Sequence, residues 1–159
     1  MTAIQISATI ASRRDSLTLV ALPNSAYLAR AYSAATIRGW GLVDEEFVDN
    51  ARSVVSELVT NAIEAAGLSE KQPKLSALLA GESLIRLVLE VPADIDALVI
   101  EVWDAHPHAP EPRGEVAFDS LSGRGLALVD ALAASWGYRF PKDAPPPWTK
   151  VVYALMPLP

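Results

Sequence analysis

The sequence predicts one α/β domain, a two-layer sandwich in which one mixed, mainly antiparallel sheet is covered on one face by helices. Three observations lead there. Residues 24–72 contain no proline, hold glycine only at 39, 41 and 67, and place apolar side chains at helical spacing. The second half instead carries β-branched and leucine-rich runs separated by turn residues. With 159 residues, 51% hydrophobic and 20% charged, the chain can bury a core but has no room for two comfortable domains. The expected domain therefore spans 1–159, with 1–16 as an N-terminal extension.

Taken in order, residues 18–22 read as a short strand. Asn24 is placed to cap a first helix with its side-chain oxygen, and Gly39 and Gly41 can take the left-handed conformation that ends one. A second helix starts near Asp44, where Asp44, Glu45 and Glu46 suit the positive end of the helix dipole. Phe47, Ala51, Val54, Val55, Leu58, Val59, Ala62 and Ile63 give it one buried face, and Gly67 closes it. Residues 68–82 read as a loop with one helical turn around 75–79. Residues 84–91 and 98–103 form a hairpin about Pro92-Ala-Asp-Ile-Asp96. A long loop follows over 105–121, with three prolines and two histidines. A third helix opens at Gly123-Arg124-Gly125, carries Leu126, Val129, Leu132, Ala133 and Trp136 at helical spacing, and ends at Gly137. Two last strands, 136–140 and 150–156, flank the turn Pro145-Pro-Pro147.

Thirteen Lys and Arg against nineteen Asp and Glu leave a formal charge of −6, with no basic run to override it, which argues against a nucleic acid partner. The absence of cysteine removes disulfides, thiolate metal sites and cysteine nucleophiles. No segment has the apolar length of a membrane span or the pattern of a secretory signal, so a soluble cytoplasmic protein is expected.

Three constellations can carry chemistry. Glu57 and Asn61 stand one helical turn apart, on a polar stripe with Ser53 and Glu64. They read either as a solvated helix face or as a general base beside a metal-binding amide. Asp104, where an apolar strand meets the long loop, can anchor that loop or accept a hydrogen bond from an exocyclic amine. Ser122-Gly123-Arg124-Gly125-Leu126 can be an ordinary turn, or a place where backbone amides approach an anion at a helix N-terminus. Arg124 can contact a phosphate or solvate the turn. His106 and His108 read as loop histidines sooner than as metal ligands, and the tryptophans as packing residues, with Trp40 and Trp136 at helix ends.

In this order the constellations resemble the Bergerat ATP-binding fold shared by gyrase and the histidine kinases. Val55-Ser-Glu-Leu-Val-Thr-Asn-Ala62, Glu101-Val-Trp-Asp104 and Gly123-Arg-Gly-Leu-Ala-Leu-Val129 with Trp136-Gly137 look most like the small actinobacterial ATP-binding regulators similar to anti-sigma-factor serine kinases. The resemblance runs from about Leu19 to Met156. It implies ATP and Mg²⁺ as cofactors, Glu57 as catalytic base and Asn61 as the Mg²⁺-holding amide. Asp104 would read adenine, Gly123 and Gly125 would close over the phosphates, and Arg124 and Leu126 of the same segment are counted with them as cofactor-binding residues. The implied partners are a sigma factor and an antagonist protein phosphorylated on serine, with a homodimer in keeping. The chain departs from the family's Asp-x-Gly-x-Gly motif, since Ala105, His106, Pro107 and His108 follow Asp104. It also has Glu64 and Ala65 where relatives often carry a basic residue, and Thr149 lies near a position where they have threonine. A non-catalytic partner-binding module with a decayed nucleotide site is the alternative.

Overall fold

The computed structural model describes residues 11–66, 81, 83–110 and 125–159. The predicted turn around 75–79, the rest of the long loop from residue 111, and Gly67, Gly123 and Arg124 lie outside these residues. In chain order the described elements are β1 (Arg13–Val20), α1 (Ser25–Gly39), α2 (Glu45–Ala65), β2 (Leu84–Val91), β3 (Ala97–Asp104), α3 (Gly125–Leu132), β4 (Ser135–Arg139) and β5 (Lys150–Pro157). The strands form one sheet of order β1-β2-β3-β5-β4, antiparallel at every pairing. Helices cover one of its faces, as expected.

The helix-facing side follows from strand alternation. Ile85, Leu87, Leu89 and Val91 of β2 join Leu98, Ile100 and Val102 of β3 and Val152, Ala154 and Met156 of β5 in one buried cluster. Against it lies α2, whose predicted apolar positions are all buried, together with Val48. The Asp44 carboxylate accepts a hydrogen bond from the Phe47 amide at 2.7 Å. This satisfies one of the orphan amides of the first turn, while Glu45 and Glu46 complement the dipole. The opposite face mixes apolar and polar side chains: Val88, Ala97 and Val151 are buried there among charged residues. Arg14 pairs with Glu90 at 2.7 Å and Arg139 with Glu101 at 2.9 Å.

Four sequence expectations are corrected. Asn24 sits at the N-cap of α1 but its side chain makes no capping bond; the Ser25 hydroxyl instead donates to the Val20 carbonyl, tying the helix to β1. Of the two glycines after α1, only Gly41 is left-handed, at φ 85°. The first strand starts at Arg13, five residues ahead of the predicted 18, because its partner is the full length of β2, from Arg13↔Val91 to Val20↔Leu84. The third helix stops at Leu132, and Trp136 and Gly137 belong to β4. Pairing with β5 overrides the helical spacing there: Trp136 lies opposite Ala154 and Gly137 opposite Tyr153. A Cβ at Gly137 would stand 2.7 Å from the Tyr153 hydroxyl, so glycine is what lets that ring lie on the strand.

Candidate functional site

Glu57 and Asn61 project from α2 where the N-terminus of α3 meets it. Both are half-buried, so the reading of a solvated face does not hold for this pair. The contact depends on Gly125, the first residue of α3. A Cβ there would lie 2.7 Å from Glu57 Oε2 and 3.6 Å from Asn61 Oδ1. With hydrogen in that place, the backbone at the positive end of α3 closes onto the carboxylate and the carboxamide. Asn61 Nδ2 is buried and has no hydrogen-bond partner among the described residues. Burying an amide without a partner is costly, and such groups mark places where a ligand or water completes the structure.

Asn61 is followed at once by Ala62, which with Ala65 and Ala66 forms the α2 wall of a cavity of about 280 Å³. Asp104, Ala105, His106 and Pro107 form the other wall. The volume is near the lower end of the ~300–1,000 Å³ usual for small-molecule sites. Asp104 ends β3 on the helix side of the sheet and is only 3% exposed. One of its oxygens, Oδ1, accepts the His106 amide at 2.8 Å, so Asp104 anchors the loop as well as lining the cavity. The other, Oδ2, has no hydrogen-bond partner among the described residues and lies 3.4 Å from the Lys150 ammonium. Burial pushes the Asp104 carboxyl above the ordinary aspartate range, with the charge of Lys150 and the His106 amide pulling it back.

Lys150 opens β5 directly across from Asp104 and is 2% exposed; its ammonium also donates to the His108 carbonyl at 2.9 Å. Sequence reasoning passed over it, although alternation puts Lys150 on the same face as Val152, Ala154 and Met156, which is a core face. A lysine in register with a buried stripe was the available signal. Thr149 stands beside it. Its amide donates to the Asp104 carbonyl at 2.9 Å and its hydroxyl to the His106 carbonyl at 3.2 Å.

Of the other predicted residues, Leu126 is half-buried in the first turn of α3, and Glu64 is exposed. Ala65 lines the cavity. The His106 and His108 rings meet edge to face at 5.3 Å, and among the described residues no group of three His, Asp or Glu is placed to hold a metal.

One continuous run, from Glu57 of α2 to its C-cap Ala66, thus connects the Gly125 contact to the Asp104 cavity. The sequence profile of the histidine kinase-like ATPase domain matches residues 19–144, which include every one of these groups except Lys150 and Thr149. The chain belongs to this family, and its domain is of the ATP-binding type. No curated protein matches it at a significant level. Among the described residues no helix is long and apolar enough to cross a membrane.

Proposed function

We propose that the protein is a Mg²⁺-ATP-binding regulator of the anti-sigma-factor kinase type, which holds a sigma factor or similar partner and phosphorylates a serine of an antagonist protein. The observation that carries this reading is the closure of Gly125 onto Glu57 and Asn61 beside the Asp104 cavity. The residues fit the ligands: a buried carboxylate for an amine-bearing base, a carboxamide whose buried nitrogen lacks a partner among the described residues and can donate to a phosphate oxygen, and a glycine where a side chain would collide.

Bound ATP would supply the γ-phosphoryl group and Mg²⁺ would offset its charge. Asp104 would accept from the exocyclic amine of adenine. Asn61 would turn its Oδ1 toward the metal, and the amides at the start of α3, with Gly123 and Arg124, would face the phosphates. Glu57 would take the proton from the attacking serine hydroxyl as its oxygen bonds to phosphorus and the bridging oxygen leaves with ADP. Such a regulator acts in the cytoplasm, where its partners work, and pairing of two copies is in keeping with it.

A second reading, a partner-binding module without nucleotide, is favoured by the loop after Asp104, which lacks the family glycines and occupies Asp104 Oδ1. Calorimetric titration with ATP, with and without Mg²⁺, separates the two, since only the first reading expects metal-dependent binding. For catalysis the test is Glu57→Gln. It should keep ATP affinity within a few-fold and lower transfer to an antagonist by about 10²- to 10⁴-fold. If the unaltered protein binds its partner but neither binds ATP nor transfers phosphate, the second reading replaces the first.

A further inference from the structure

Lys150 is a buried cation with a defined job. It is 2% exposed, lies across the register from Asp104, and divides its ammonium between Asp104 Oδ2 at 3.4 Å and the His108 carbonyl at 2.9 Å. No family motif in the sequence assigns it a role, and it lies beyond the family match at 19–144. A buried ammonium is tolerated only when paired, so its retention beside Asp104 on a largely apolar face calls for an account.

Hydrogen-bond chemistry supplies one. An ionised carboxylate is an acceptor only, whereas a protonated one also donates. In a pocket that reads the 6-position of a purine, this difference decides the base. The acceptor-only form pairs with the 6-amine of adenine and repels the 6-oxo group of hypoxanthine or guanine. The protonated form can donate to that oxo group. Burial favours the protonated form of Asp104, and Lys150 is the largest influence opposing it. The charged and titratable groups acting on Asp104 among the described residues are Lys150 and His106, and His106 contributes mainly through its backbone amide.

We propose that Lys150 is a positioning residue for purine selection: it holds Asp104 as an acceptor-only carboxylate and, through the His108 carbonyl, fixes the cavity loop, so that the site takes 6-amino purine nucleotides and rejects 6-oxo ones. This rests on the ATP-binding reading above. A site built around one buried hydrogen-bonding group discriminates strongly because the wrong ligand leaves that group without a ligand partner.

The experiment measures the dissociation constants of ATP and ITP, which differ at the 6-position, for the unaltered protein, Lys150→Gln and Lys150→Arg. Glutamine can still donate to the His108 carbonyl but carries no charge; arginine keeps the charge. The unaltered protein and Lys150→Arg should prefer ATP by about tenfold or more, and Lys150→Gln should bring the ratio within about threefold while circular dichroism shows it folded. A purely structural lysine would weaken both nucleotides together and leave the ratio alone, and that result overturns the inference. In the unaltered protein, ¹³C NMR of the Asp104 carboxyl, assigned with Asp104→Asn, should report the ionised form at neutral pH. A protonated carboxyl there overturns the inference even if the Lys150 variants fail to fold. Equal ATP and ITP affinity in the unaltered protein refutes purine reading by Asp104 and the inference with it. Absence of binding by either nucleotide refutes the ATP-binding reading itself.

Discussion

Replacing Gly125 by alanine tests the contact on which the site is built. The new methyl would sit 2.7 Å from Glu57 Oε2, and ordinary contacts begin at 3.4 Å, so the carboxylate must retreat by about 0.7 Å (3.4 − 2.7). It is the free end of a flexible side chain, and Gly125 does not have a positive φ, so the backbone can accept alanine. Two effects then oppose each other. Alanine in place of a helical glycine stabilises by up to about 1 kcal/mol, less at a first helical position. Driving Glu57 off its preferred rotamer costs about 0.5–1.5 kcal/mol. The single variant should therefore stay within about 1 kcal/mol of the unaltered protein, or about 2–4 °C in Tm for a chain of 159 residues. In a Glu57→Ala background the collision is gone and only the helical gain remains. Urea denaturation of all four proteins should give a coupling of about 0.5–1.5 kcal/mol between the two sites. A coupling below about 0.3 kcal/mol, within the usual error of additivity, would mean that Gly125 and Glu57 are not in contact and that α3 does not close on α2. The same displacement predicts a transfer rate lowered by about 10- to 100-fold, since a misplacement near 1 Å is enough to cost that much.

Asn61→Ala removes a buried amide whose Nδ2 has no partner among the described residues, so apo stability should hold within about 1 kcal/mol while Mg²⁺-dependent ATP affinity falls. Loss of the fold in circular dichroism would make Asn61 structural and defeat its assigned role. Gly137→Ala places a Cβ 2.7 Å from the Tyr153 hydroxyl and 3.0 Å from its ring, so overpacking should destabilise by about 1–3 kcal/mol. Tyr153→Thr, tested in the same denaturation assay, should relieve most of that cost; if it does not, the strain lies elsewhere in the β4–β5 pair.

What could be read from the sequence was whatever periodicity and local chemistry determine. The α2 stripe from Phe47 to Ile63 has one consistent spacing and one capping aspartate, and it folds accordingly. The β2–β3 hairpin is equally local, two apolar runs and a turn. The start of β1 was not legible, because Arg13, Arg14, Asp15 and Ser16 have no apolar pattern; they are held by backbone pairing to β2, at the edge of the sheet. The end of α3 was misread for the opposite reason, as Leu132, Ala133 and Trp136 keep a helical rhythm that pairing with β5 overrides. Spacing likewise found Glu57 and Asn61 on one face. That Gly125 touches both is a property of the packed helices and has no local signature.

The loop after Asp104 shows how the fold can compensate for a departure in sequence. Where the family motif has glycines, this chain has His106-Pro107-His108, yet the backbone of this first part of the loop is tied down. The His106 amide donates to Asp104, the Thr149 hydroxyl to the His106 carbonyl, and the Lys150 ammonium to the His108 carbonyl. Glycines would let a loop adapt around a ligand; these bonds instead fix residues 106–108 in advance, which would reduce the ordering cost of binding. All three bonds come from Asp104 or from the first residues of β5 and their immediate approach, Thr149 and Lys150, which face each other across one antiparallel register. A change at Lys150 or Thr149 therefore reaches the cavity through the loop backbone even though neither residue is among those lining it. This is why the start of β5, rather than the loop itself, is the place to look for control of what the cavity accepts.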